Sequence, residues 1–376
     1  MNKNIPKTVS FSGESLAMMK SEGLVSDAAL AELKKRADEH LNGELLAVTE
    51  RMAKAPSGNP HDYASLGTYW WPNPDTPDGL PYVRYDGKRN PVTTETASYR
   101  NMTTRAFELA LAAYYFDSEE YGRACAKVLC DWHLNPKTYM TPHAKYSQSI
   151  PGICDGRNIG IIDFSMSSYR VFDSVAILEH LGFIDNEHVE GLKRWYNEFT
   201  DWLLTSENGI GEDTEHNNHG TFFDVHLLAA GIFCGREALI KKVCQTSYER
   251  RFKTQIEPDG KQPLELARTM GMVYSISNIT GLLLIANMAS GCGWTEYISS
   301  DVKYGDAAVK KAIDYIYPYT LALESFPYSE IKPEIVPEKM KGVLLFADRI
   351  WSGEGYGDKA NKVSDKTMIE SAYPGI

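Results

Sequence analysis

The stretch RNMTTRAFELALAAYYF, Arg100 to Phe116, decides the fold class. Met102, Ala106, Leu109, Ala113 and Phe116 recur at intervals of three and four, which lines up one face of an α-helix. A strand would need alternation at every second residue, and none is present. The same spacing returns down the chain. Ser168 to Leu181 carries Val171, Val175, Leu178 and Leu181, and Gly220 to Phe233, Ser277 to Ala289, Ala307 to Leu323 and Glu338 to Trp351 follow. Toward the N-terminus, residues 14–54 set Leu24, Leu30, Leu33 and Leu41 among Lys and Glu and also read as helix. Connections are short and marked by Gly or Pro. No exact repeat occurs, and strand-like alternation is scarce. These features predict an all-α fold of helical hairpins packed side by side. At 376 residues one solution is a single domain over 1–376, an (α/α) toroid: an incomplete barrel of about six or seven hairpins.

One segment breaks the pattern. HDYASLGTYWWPNPDTPDGLPYVRYDGKRNP, residues 61–91, is rich in Pro, Gly, Asp and aromatics, and nothing periodic survives in it. Residues 55–95 are therefore expected to form a long ordered loop or lid over a site.

The bulk numbers bound the function. The net charge is −11, with no Lys/Arg block, which argues against nucleic acid as a partner. The same acidity means that a polyanionic ligand would need a local basic cleft. No run of about 18 apolar residues is present, so no membrane span is expected. The start, MNKNIPKTVSFSGESL, lacks the apolar core of a signal peptide and reads as a mature chain with an added Met. The six cysteines, at 125, 130, 154, 234, 244 and 292, form no CxxC pair and read as free thiols. The 22 Tyr and 7 Trp suit either a sugar cleft or a core.

Four motifs carry candidate chemistry. EHNNHGTFFDVH, Glu215 to His226, holds three of the nine histidines just before an apolar run. His216, His219 and His226 could be imagined as zinc ligands, but no Cys lies near and the HExxH spacing is missing. Asn217 or Asn218 fits a helix N-cap, and the positive field of that helix end suits an anion. KQPLELARTMGMVYS, Lys261 to Ser275, sets Arg268 and Tyr274 six apart. On one ideal helix they would point about 120° apart, so if both face one ligand, either Gly271 breaks the helix or they approach from different sides. YSQSIPGICDGRNIGIIDF, Tyr146 to Phe164, places Gln148, Asp155 and Arg157 in a Gly- and Pro-bearing loop. GTYWWPNP, Gly67 to Pro74, offers Tyr69, Trp70 and Trp71 for stacking on sugar rings. No signature of a nucleophilic serine is present. Acidic pairs such as Glu212/Asp213 could serve a glycosidase.

Together, NNHGTFFDV, QPLELART with Tyr274, YSQSIPGICDGRNIGIID and DYASLGTYWWPNP resemble the alginate lyase superfamily, in order, from about residue 60 to at least 280. The nearer branch resembles polysaccharide lyase family 38, (α/α) toroid enzymes acting on polymannuronate-type uronans. Family 5 members carry Ser-Tyr-Trp after Asn-Asn-His, where this chain has Gly220, Thr221 and Phe222. The resemblance implies a lyase without metal or cofactor, acting as a monomer in the periplasm or outside the cell on an acidic polysaccharide such as alginate.

The chemistry such a lyase needs can be stated from the substrate. It removes H5 of a uronate and expels the O4 substituent, so it must neutralise the C6 carboxylate and stabilise the enolate-like charge that develops. It also needs a base at C5 and an acid at O4. The resemblance gives Asn218, His219 and Arg268 as the neutralising groups and Tyr274 as base and acid. A tyrosine titrates near 10 unless cations lower it. In β-D-mannuronate and β-D-glucuronate, H5 and the O4 bond share a face, so one group can serve both steps. For α-L-guluronate the two lie on opposite faces, and His219 would be the second group. Asn217, Gln148, Arg157, Tyr69, Trp70 and Trp71 become substrate-binding candidates. Glucuronan cleavage, an (α/α) glycoside hydrolase and a non-catalytic uronan binder are the alternatives.

Overall fold

The computed structural model describes residues 5–45, 47–51, 53–297, 308–366 and 369–375. The chain is about 63% helical with few strands. The expected helices are present as Ser98–Phe116, Tyr169–Leu181, Asn218–Cys234, Gly271–Gly291, Ala308–Leu321 and Val336–Ile350. Ala307, expected as the start of the fifth, lies outside the described residues. The N-terminal stretch is two helices, Gly13–Ser21 and Asp27–Asn42, separated by a turn at Gly23 with φ of 62°.

Further helices lie outside those stretches, among them Glu119–His133, Asn186–Thr205, Glu207–Asp213, Glu237–Ser247 and Tyr356–Val363. The longer ones keep helical spacing on their buried face, as in Val189, Leu192, Tyr196, Phe199 and Leu203, while charged outward faces dilute the apolar content. Side-chain caps open the first two. Ser118 accepts from the Tyr121 N–H, and Asp185 accepts from the His188 N–H.

Residues 55–95 are not simply a loop. Trp70–Trp71 pairs antiparallel with Val83–Arg84, and Ala64–Leu66 pairs parallel with Tyr146–Ser149. Strands of two to four residues are too short to show a period, so sequence spacing could not reveal them.

The chain divides into two compact units, residues 1–36 with 215–376, and residues 37–214. In the second unit, Ser98–Phe116 packs on Glu119–His133 and Tyr169–Leu181. Its core is aromatic: Tyr99, Trp132, Tyr196 and Phe172 are almost wholly buried. The Tyr196 hydroxyl bonds the Tyr99 hydroxyl at 2.6 Å and His133 Nε2 at 2.9 Å. Burial drives His133 down to about 4, so it is neutral in the core.

In the first unit, Asn218–Cys234 lies against Gly271–Gly291 and Glu237–Ser247. The first two are apolar all round because they are buried all round. A Cβ on Gly281 would stand 2.8 Å from Thr221 Cγ2, so glycine there lets the two helices approach closely. Among the described residues, Gly271–Gly291 is long and apolar enough to cross a membrane, yet 78% of its most apolar window is buried within the protein, as in a core helix. All six cysteines are free thiols.

Candidate active site

Asn217 is the N-cap of Asn218–Cys234. Its Oδ1 accepts from the His219 N–H at 2.9 Å, in extended backbone. This satisfies one of the donors that a helix start leaves open. The Asn217 carbonyl in turn accepts from Gln255 Nε2 at 3.2 Å. Below it lies a buried amide network. Gln255 Oε1 accepts from Thr221 Oγ1 and Asn278 Nδ2, and Asn278 also donates to Gln262 Oε1. One turn on, Asp224 and Arg251 form a buried two-pronged ion pair, with Nε and Nη2 each 3.0 Å from a carboxylate oxygen. Arg251 Nη1 donates to the Glu215 carbonyl at 3.0 Å, pinning the approach to the turn. A Cβ on Gly220 would lie 2.4 Å from that nitrogen, so the Gly after His219 is required by space.

Glu265 connects this turn to the next segment. Its Oε1 accepts from the Asn218 backbone N–H at 2.6 Å and from Asn218 Nδ2 at 2.9 Å, and its Oε2 accepts from Nδ2 at 2.8 Å. Both residues are buried. Burial raises the Glu265 carboxyl, and the Asn218 bonds and the positive fields of His219 and Arg268 pull it back. Sequence reasoning missed Glu265, because an isolated Glu between two leucines gives no signal until its partner 47 residues away is known.

Arg268 follows the short helix Pro263–Leu266, and Tyr274 sits in the first turn of the helix that begins at Gly271. Of the two arrangements their spacing allowed, the chain takes the break, with a new helix starting at Gly271. The guanidinium lies over the phenol ring, 4.4 Å from the ring centroid, and Nη2 is 3.5 Å from the hydroxyl. The start of that helix is capped from outside by Glu330, whose Oε2 accepts from the Met272 and Val273 N–H groups.

The structure brings the other candidates into a cluster within residues 37–214. Arg157 donates from Nε to the Gln148 carbonyl and from Nη2 to Gln148 Oε1, both at 2.9 Å. Gln148 is left-handed, with φ of 50°, and donates from Nε2 to Asp163. Burial lifts Asp163 to about 6, opposed by hydrogen bonds from Gln148, Ser65 and Tyr63. Arg157 lies 6.0 Å from the Trp70 ring centroid. The Trp71 indole donates to the Lys88 carbonyl, and the Tyr69 carbonyl accepts from Tyr85, which holds the aromatic hairpin together. Tyr69, Trp70 and Trp71 are all partly exposed.

The three histidines of the Glu215–His226 motif part company. His216 is exposed, His219 is half-buried at the helix start, and His226 is fully buried and driven down to about 3 by desolvation. Among the described residues no three His, Cys, Asp or Glu side chains gather in a metal-binding group.

The chain thus sets an Asn-His pair at one helix start and an Arg stacked on a Tyr at another. The sequence model for "Alginate lyase" matches residues 47–326, and the chain belongs to the alginate lyase family. An alginate lyase from Bacteroides ovatus has a similar structure, with 32% identity, TM-score 0.91 and 98% of each chain covered. Alginate lyase A1-III from Sphingomonas species A1 is similar at 14% identity and TM-score 0.56, covering 90% of this chain and 92% of its own. A variant of A1-III complexed with tetrasaccharide gives 13% identity and TM-score 0.51, covering 92% and 98%. No curated protein sequence matches. The fold is of the (α/α) toroid type.

Proposed function

We propose that the protein cleaves β-1,4-linked uronans, polymannuronate first, by syn β-elimination. The observation that carries this is the Arg268–Tyr274 pair: a fixed cation 4.4 Å over the phenol ring and 3.5 Å from its oxygen. A cation so placed favours the phenolate over the phenol. In this reading the phenolate takes H5, the C5–H electrons form the C4–C5 double bond, and the C4–O4 bond breaks. The same phenol then returns its proton to the departing O4. Asn218, His219 and Arg268 offset the charge on the C6 carboxylate, which is what makes H5 removable. Gln148, Arg157, Tyr69, Trp70 and Trp71 are the proposed binding groups for the sugar chain, with Arg157 supplying positive charge and the aromatics a stacking surface. Membership of the alginate lyase family, and the likeness to the Bacteroides ovatus alginate lyase, support alginate as the substrate class. A periplasmic or secreted location suits a polymeric substrate of this kind.

The test is ultraviolet absorbance of the new C4–C5 double bond on addition of polymannuronate. Tyr274→Phe should abolish the signal while the circular dichroism and melting of the protein stay unchanged. A Tyr274→Phe variant with full activity would end this mechanism. Reducing ends without unsaturation would favour a hydrolase instead.

A further inference from the structure

We propose that Glu265 is a positioning residue that sets which end of the Asn218 amide faces the sugar carboxylate, and that it binds a proton as that carboxylate is seated. This rests on the uronan-lyase reading of Asn218 given above.

Glu265 and Asn218 are 2% and 3% exposed, and three hydrogen bonds join them. An ionised carboxylate only accepts, so a charged Glu265 requires the Asn218 N–H groups to point at it. The amide oxygen is then the end turned away from Glu265. An acceptor is the wrong group for a second carboxylate, and the negative charge behind it repels one. A protonated Glu265 has one O–H to give. The amide turned over then needs only a small shift: the proton on Glu265 Oε2 is donated to Asn218 Oδ1, Oε1 still accepts from the Asn218 backbone N–H, and Oδ1 moves off the 2.9 Å that the amide nitrogen now keeps to Oε1. The NH2 group is now the end turned away from Glu265, the donor that a carboxylate ligand needs. A rotation about one side-chain bond and one proton therefore convert a repelling group into a binding one.

The surroundings permit this. His219 and Arg268 are the groups whose positive fields reach Glu265, one from the first turn of Asn218–Cys234 and one from just beyond its own short helix. His216 lines the small cavity beside it, together with the uncharged Asn217, Gln255, Gln262 and Asn278. Burial already weakens the hold of Glu265 on its negative charge. A second anion arriving at Asn218 weakens it further.

The experiment is calorimetric titration of the Tyr274→Phe protein with a β-1,4-mannuronate tetrasaccharide at neutral pH, in buffers of different ionisation enthalpy. Uptake of about one proton per sugar chain bound is expected, because binding raises the affinity of Glu265 for a proton. The Tyr274→Phe/Glu265→Gln protein should bind with similar affinity and take up none, since Gln carries the donor and acceptor of the protonated acid. In the Tyr274 enzyme, Glu265→Gln should keep kcat within a few-fold and flatten the rise of KM with pH. Binding without proton uptake in Tyr274→Phe would overturn the proposal. So would uptake that persists once Glu265→Gln is added, or an affinity loss of roughly tenfold or more from Glu265→Gln alone. Failure of the lyase reading is distinct: the wild-type protein would then form no unsaturated product from any uronan.

Discussion

Arg251→Met separates the support of the His216–Gly220 turn from its chemistry. Methionine has a similar reach and no N–H groups. The substitution removes the two bonds to Asp224 and the bond to the Glu215 carbonyl. Asp224 keeps the Ser247 hydroxyl at 2.8 Å, but its charge stays buried without its cation. Breaking one side of a buried pair costs about 3–5 kcal/mol. The lost bond to the Glu215 carbonyl adds on the order of 1–3 kcal/mol, though the two are not strictly additive. Urea denaturation should therefore show a loss of roughly 4 kcal/mol or more at pH 8. Adding Asp224→Leu removes the stranded charge and should recover most of the stability, because an apolar pair of similar volume is tolerated where half an ion pair is not. Activity should not recover with it, since the Glu215 carbonyl remains unanchored. A loss below about 1 kcal/mol in Arg251→Met would refute the reasoning. So would a double variant no more stable than the single one.

Two further outcomes follow from the same geometry. Asp163 titrates at about 6 in the fold against an ordinary 3.8, so stability should fall by about 3 kcal/mol as pH rises from about 4 to 6, then level off. Asp163→Asn should abolish that slope in urea midpoints taken across the range, and an unchanged slope would show that another group is responsible. Glu330→Ala removes the carboxylate cap on the helix bearing Tyr274 and should cost about 1 kcal/mol in a thermal melt and lower kcat, with Glu330→Gln retaining an acceptor and losing less. A Glu330→Ala protein that melts with the wild type would remove the cap from the account.

What the sequence could show was set by length and period. Arg100 to Phe116 is one of many buried positions at helical spacing, so its helix was legible, as was the N-cap at Asn217. The approach of Arg268 to Tyr274 was legible only as a pair of alternatives, a break at Gly271 or approach from different sides, and the helix starting at Gly271 is the first of these. Glu119–His133 sets its buried Tyr121, Cys125, Leu129 and Trp132 at helical spacing, so it too was legible, though its charged outer face makes it less apolar than the helices buried all round. The Trp70–Trp71 and Val83–Arg84 strands are two residues each, below any detectable period. The many tyrosines and tryptophans suited a sugar cleft or a core alike, and Tyr99, Trp132 and Tyr196 lie in the core. Glu265 shows the general limit. Its significance comes from one partner far along the chain, and a single sequence carries no record of that pairing.

The most direct test is a panel of polymannuronate, polyguluronate, glucuronan and hyaluronan, read by ultraviolet absorbance with the wild-type protein and Tyr274→Phe. The account predicts unsaturated product from the wild type on polymannuronate, less or none on polyguluronate, and none from Tyr274→Phe on any of the four. Equal absorbance from Tyr274→Phe, or cleavage of polyguluronate in preference to polymannuronate, would contradict it.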